Sequence, residues 1–285
     1  MQENTGKYMK KGKKSEIKKL RVKTHKNLLL VKNDSEEDKK KLEIIRDILI
    51  NDENKDKADL HNYFLNNKGE AIFKHLPFFD IYERHFSKYR GKDINMMEIG
   101  VGSGGAVKMW REYFKNNNSK ANVNIYAIDK NPKCLQFEEN NIKIFIGSQD
   151  DRDFLKEVKK QIPKLDILID DGGHKMNQQI ITFEEMYEHI KDDGIYLCED
   201  VYTSYWANFG GGYKNPNSYI EYTKNLIDSL NAYWAAEEDD LYPNNFTDST
   251  YSIHYYDAVV VIEKKKRDTR YNDICQQAII GKTKE

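Results

Sequence analysis

The sequence predicts an α/β fold: a mostly parallel central sheet with helices on both faces, preceded by a basic, partly helical segment. Three features of the 285 residues predict it. Short apolar runs alternate with helix-patterned stretches, the signature of βαβ units. The first run breaks into glycines just before a helix, and two later runs each end in acids.

Residues 1–67 stand apart as an N-terminal segment, with the α/β domain expected over 68–285. Lys7, Lys10, Lys11, Lys13, Lys14, Lys18, Lys19, Arg21, Lys23 and Lys26 face only Glu3 and Glu16 in the first thirty positions, although the whole chain carries a net charge of -1. Such an arm suits either a solvated tail or an anionic surface or nucleic acid. Tyr8 alone is available there for base stacking, which argues against nucleic acid. Leu42, Ile45 and Leu49 recur at helical spacing and predict an amphipathic helix over 35–54. The aromatic-rich stretch from Leu60 to Gly91 reads as helices leading into the main domain.

The alternation then begins. Residues 96–101 (MMEIGV) predict a first strand, followed by a helix through Val107, Trp110 and Phe114. Residues 122–129 and 142–148 predict the second and third strands, and 151–162 a helix. Residues 165–171 (LDILIDD) form a buried strand, 177–190 a helix closed by a turn at 192–194, and 194–200 (GIYLCED) a fifth strand. A helix over 217–234 leads to a last strand-like run, IHYYDAVVVIEKKK. Right-handed βαβ connections place the strands' carboxyl ends on one edge.

Gly100, Gly102 and Gly105 satisfy G-x-G-x-x-G where the first strand turns into a helix. The pattern admits close backbone approach to a dinucleotide or another adenosine cofactor, and also serves purely structural turns. Asp129, ending the second strand, is placed to accept two ribose hydroxyls. Glu98, before the first glycine, favours a cofactor carrying a cationic amino acid, and no hydride-transfer site follows. Gln149 and Asp150, after the third strand, could contact an adenine ring or simply form a polar turn.

Asp171, Glu199 and Asp200 end the fourth and fifth strands, and three carboxylates at one edge repel one another unless a cation joins them. A hard, oxygen-loving ion such as Mg²⁺ or Mn²⁺ fits; without clustered histidines and thiolates, zinc does not. His174, three residues after Asp171, is the expected general base, since an imidazole exchanges its proton near neutrality. The alternative use of any one of these acids is as a helix N-cap.

The segments MEIGVGSGGAVKMWREYF, LDILIDDGGHKMNQQIITFEE, GIYLCEDVYTSYW and SIHYYDAVVVIEK resemble the metal-dependent sugar O-methyltransferases of macrolide biosynthesis, the mycinamicin and tylosin type. Proteins named cephalosporin hydroxylases are related to these. The resemblance covers residues 68–264 and not the basic arm. It implies a Rossmann-like fold that binds S-adenosylmethionine and Mg²⁺, and a sugar or glycoconjugate acceptor. Asp171, Glu199 and Asp200 match the metal ligands and His174 the base. Glu98, Gly100, Gly102 and Asp129 match positions around the cofactor's methionine and ribose, with Gln149 and Asp150 in the adenine loop.

Other readings remain open at this level: a catechol-like phenol as acceptor, or a nucleic-acid-binding protein using the arm. No apolar run approaches the roughly 20 residues of a membrane span, and the basic start lacks the apolar stretch of a secretory signal. Cys134, Cys198 and Cys275 are scattered, which predicts a reducing compartment, the cytoplasm. Self-association is left open.

Overall fold

The computed structural model describes residues 59–117, 120–236 and 239–267, together with residues 36, 39–41, 43 and 44, which are helical. The basic arm, most of the helix predicted over 35–54, and Cys275 lie outside the described residues. Two compact units, Met1–Ala58 and Asp59–Glu285, divide the chain, and the sheet lies in the second.

The sheet has seven strands: β1 (Ile94–Ile99), β2 (Val123–Asp129), β3 (Ile142–Ile146), β4 (Leu165–Asp170), β5 (Ile190–Cys198), β6 (Thr250–Tyr256) and β7 (Val259–Lys264). Their order is β3-β2-β1-β4-β5-β7-β6. The first five run parallel, and β7 enters antiparallel between β5 and β6. The order reverses direction between β1 and β4. In a doubly wound sheet this switch point opens a crevice at the strands' carboxyl ends, where ligands bind.

Strand side chains alternate between two cores. Met96, Ile125, Ile167, Ile195 and Val261 face one, against α1 (Asp59–Leu65), α2 (Phe78–Phe86) and α3 (Gly105–Lys115). Met97, Ile128, Leu168, Tyr196 and Val260 face the other, against α4 (Arg152–Gln161), α5 (Met176–Met186) and α6 (Tyr219–Asn231). A short α7 (Asn245–Ser249) leads into β6. The central strands are buried on both faces, which is why they read as continuous apolar runs. His85, at the end of α2, meets Glu263 and Tyr256 at 2.9 Å each and fastens that helix to the terminal hairpin.

The structure departs from the sequence reading in two places. The run at 253–266 is a hairpin: Asp257 and Ala258 turn the chain, with Ala258 at φ 66°. No glycine or proline marks that turn, so the apolar signal runs straight through it. Residues 192–194 are not a turn closing a helix but lie within β5, which starts at Ile190 beside a register shift in its pairing with β4. Asp192 and Asp193 are exposed there, in the irregular stretch between the Leu165–Ile190 and Ile167–Ile195 pairs. Among the described residues, no helix is long and apolar enough to cross a membrane.

Candidate active site

The glycine turn leaves β1 at Gly100, whose φ is 96°. A Cβ at this position would lie 2.1 Å from the Asp171 carbonyl oxygen, so the turn packs backbone to backbone on the acidic loop after β4. Gly100→Ala is therefore expected to lower Tm by roughly 5 °C or more, as read by thermal denaturation. Gly102 differs: a Cβ there would meet nothing within 4 Å. Its surroundings are open where a ligand would approach the backbone.

Asp129 comes to this turn from the end of β2. Its Oδ2 accepts hydrogen bonds from the Val101 and Gly102 amides at 3.0 and 3.2 Å, and its Oδ1 from the Asn131 amide at 2.8 Å. Asp129 thus organises the turn: Oδ2 accepts two amides, and Oδ1 keeps a second lone pair for a ligand.

Gln149 and Asp150 follow β3 but differ in setting. Gln149 is buried, donating to Asp170 Oδ1 at 2.8 Å and Thr182 Oγ1 at 3.0 Å and accepting from the Gly173 amide at 2.7 Å. Its side-chain amide is a strut for the loop after β4. Asp150 accepts from Ser148 and, at 2.8 Å, from Asn177. Asp170, the last residue of β4, is fully buried, and burial lifts its carboxyl to about 6 against the opposing Gln149 bond.

The expected metal ligands divide into two groups. Glu199 accepts from Lys74 Nζ at 3.0 Å and from the Tyr82 hydroxyl at 2.7 Å. The same ammonium donates to Glu98 at 3.0 Å and to Asp171 Oδ2 at 2.7 Å. The Lys74 side chain has no exposed surface and lies 5.9 Å from the centres of the Tyr82 and Trp110 rings. Burial alone would favour a neutral amine, but Asp171, Glu199 and Glu98 outweigh it and hold Lys74 protonated. Burial and the neighbouring Asp171 charge raise Glu199 well above the ordinary carboxylate range, against the pull of Lys74.

The second group is Asp171, Asp200 and His174. His174 Nε2 stands 3.9 Å from Asp171 Oδ1 and 3.6 Å from Asp200 Oδ2. One ligand atom from each of the three lies within 4.8 Å of the others. A divalent cation fits this set. His174 Nδ1 is buried with no hydrogen-bond partner, an orphan atom of the kind that marks a site awaiting a ligand or water. Both His174 and Asp200 have φ 55°, the left-handed region that non-glycine residues rarely enter. Thr203 Oγ1 lies 2.9 Å from the carbonyls of both residues and shares its one proton between them, which ties the two strained loops together.

Sequence reasoning missed Lys74, Tyr82 and His75. His75 lies 3.4 Å from Asp200 Oδ1. The available signal was the Lys74-His75 pair inside the aromatic stretch before β1, because a lysine drawn into a core must meet carboxylates there. Past Asp200, Tyr202, Trp206 and Phe209 pack in series at 5.0 and 5.7 Å. In the glycines that follow, Gly211 and Gly212 donate to the Trp206 and Ser204 carbonyls at 3.0 and 2.8 Å.

The strand order, the glycine turn at the switch point and the acids at the carboxyl edge define a Rossmann-like methyltransferase fold. The homologues of the chain are macrolide-type sugar O-methyltransferases. Demethylmacrocin O-methyltransferase of Streptomyces fradiae is 30% identical over 220 residues, covering 73% of this chain and 53% of the relative. A tetracenomycin rhamnosyl 3'-O-methyltransferase of Streptomyces olivaceus is 32% identical over 198 residues, covering 66% of this chain and 49% of the relative. The MycE methyltransferase of mycinamycin biosynthesis, solved with Mg, SAH and mycinamycin VI, superposes with a TM-score of 0.62 at 28% identity, over 73% of this chain and 53% of that one. The chain thus spans about half the length of the relatives it matches. No protein-family model matches it.

Proposed function

We propose that this chain transfers the methyl group of S-adenosylmethionine to a sugar hydroxyl, assisted by Mg²⁺ or Mn²⁺. The observation that carries the reading is the meeting, at one switch point, of an open glycine turn with Asp171, His174 and Asp200. The two relatives, both named for O-methylation and one for a rhamnosyl group, support the acceptor class.

Gly102 gives the cofactor close access to the backbone, and Asp129 offers the remaining lone pair of Oδ1 to the ribose. Asp171 and Asp200 would hold the metal ion, which when bound would lower the acceptor hydroxyl's pKa. His174 takes the proton as the oxygen attacks the methyl carbon. The sulfonium is already a good leaving group, so the protein's chief task is to align oxygen, carbon and sulfur. The aromatic rings of Tyr202 and Trp206 stand beside the acids, where a sugar's apolar face can rest.

Gly102→Val is expected to abolish S-adenosylmethionine binding in calorimetry, since the branched side chain fills the open space at the turn. Unchanged affinity would move the cofactor elsewhere. Acceptors with a second oxygen on the carbon adjacent to the reacting hydroxyl are expected to be preferred. In that case deoxy glycosides lacking the neighbour lose most of kcat/KM; equal rates for the two would remove the neighbouring oxygen from the account.

A further inference from the structure

A second metal-ligating cluster lies away from the carboxyl edge. Glu263 of β7 pairs with Ile195 of β5, which precedes Glu199 by roughly 13 Å along the strand. It follows Val259 and Val261 at alternate positions, on the sheet face that packs against α2. Its Oε1 meets Nδ1 of the buried His85, in the last turn of α2, at 2.9 Å. Its Oε2 is 3.6 Å from Nε2 of His254 on β6. One ligand atom from each of the three residues lies within 4.8 Å of the others. They come from distant positions in the chain, so no spacing motif marks them. Ser252 Oγ stands 2.9 Å from the same His254 nitrogen, and the Tyr256 hydroxyl 2.9 Å from His85 Nε2.

We propose that His85, His254 and Glu263 form a second cation site, for Zn²⁺ or another late first-row ion, that clamps the end of α2 to both strands of the terminal hairpin. Two imidazoles and a carboxylate are donors that such ions take, whereas Mg²⁺ and Ca²⁺ prefer oxygen. Three protein ligands leave a fourth position open, and the partial exposure of His254 and Glu263 gives an ion a way in. Burial outweighs the pull of Glu263 and lowers the His85 pKa, so this imidazole is neutral near pH 7 and carries one proton. Without the ion, Nδ1–H donates to Glu263 and the Tyr256 hydroxyl donates to Nε2. Binding moves the proton to Nε2, where the Tyr256 hydroxyl accepts it, the outer-partner arrangement usual for a metal-bound histidine. The Nδ1 lone pair then faces the Glu263 carboxylate, and the cation between them turns repulsion into attraction.

This site does not depend on the methyl-transfer reading, and metal binding tests it without reference to turnover. Zn²⁺ is titrated, against a chromogenic chelator, into the full chain carrying Asp200→Asn, which takes one ligand from the carboxyl-edge set. A single equivalent is expected to bind, and to raise Tm by about 5 °C or more at roughly a hundredfold excess over Kd. Adding His254→Ala is expected to weaken Zn²⁺ by about 100-fold or more and to remove the rise in Tm, since losing an outer partner alone costs about 10- to 100-fold. Glu263→Gln, whose amide oxygen still accepts from His85, is expected to do the same and serves where His254→Ala fails to fold. Mn²⁺ binding to the chain with Asp200 intact, followed by electron paramagnetic resonance, is expected to be unaffected by His254→Ala. No Zn²⁺ binding in the Asp200→Asn chain, or equal binding after either added substitution, overturns the proposal. A loss of Mn²⁺ affinity matching that of Zn²⁺ would merge the two sites and overturn it as well.

Discussion

Asp200→Asn is expected to lower kcat by about 10³-fold or more, the several kcal/mol that metal assistance supplies to a developing oxyanion. The position allows a clean test. Asp200 has φ 55°, and asparagine is among the few residues that accept the left-handed region readily, so the backbone need not move. Asp200 also makes none of the Lys74 bonds, so the buried ion cluster stays intact. S-adenosylmethionine affinity and Tm should therefore stay near wild-type values while turnover falls. Chelator should produce the same loss in the wild-type protein, reversed by Mg²⁺ or Mn²⁺. Steady-state kinetics, calorimetry and thermal denaturation read the three quantities. A variant with wild-type kcat would remove Asp200 from the site.

His174→Asn is expected to lower kcat by about 10² to 10⁴, the usual contribution of a positioned general base. Asparagine again preserves the left-handed backbone of residue 174 and cannot accept the proton. The metal-binding measurement distinguishes two roles for this imidazole, which stands 3.9 and 3.6 Å from the two carboxylates. If His174 is the base, Mn²⁺ affinity in the variant stays close to wild type. A large loss of affinity alongside the loss of rate would instead make it a metal ligand.

Much of the fold was legible because its signals are local. The strand runs were continuous since both faces of the sheet are covered, and the glycines marked the turn at the switch point. The terminal hairpin was less visible because its turn uses Asp257 and Ala258, neither of which punctuates an apolar run. At the site, the acids were legible from their place after β4 and β5. Their division was not, because it depends on Lys74, which reaches Asp171 and Glu199 from far along the chain. A long-range ion pair leaves no spacing pattern. Gln149 shows the same limit: after β3 it reads as a ligand contact, yet its bonds to Asp170, Thr182 and Gly173 depend on how three loops meet.

The most direct test of the central claim is methyl transfer from labelled S-adenosylmethionine to a panel of rhamnosyl and other deoxysugar glycosides, with Mg²⁺ or with excess chelator. The account predicts label on a sugar oxygen next to a second hydroxyl, in the presence of metal alone. Full transfer under chelation, or label appearing on catechols or RNA while every glycoside stays unlabelled, would contradict it.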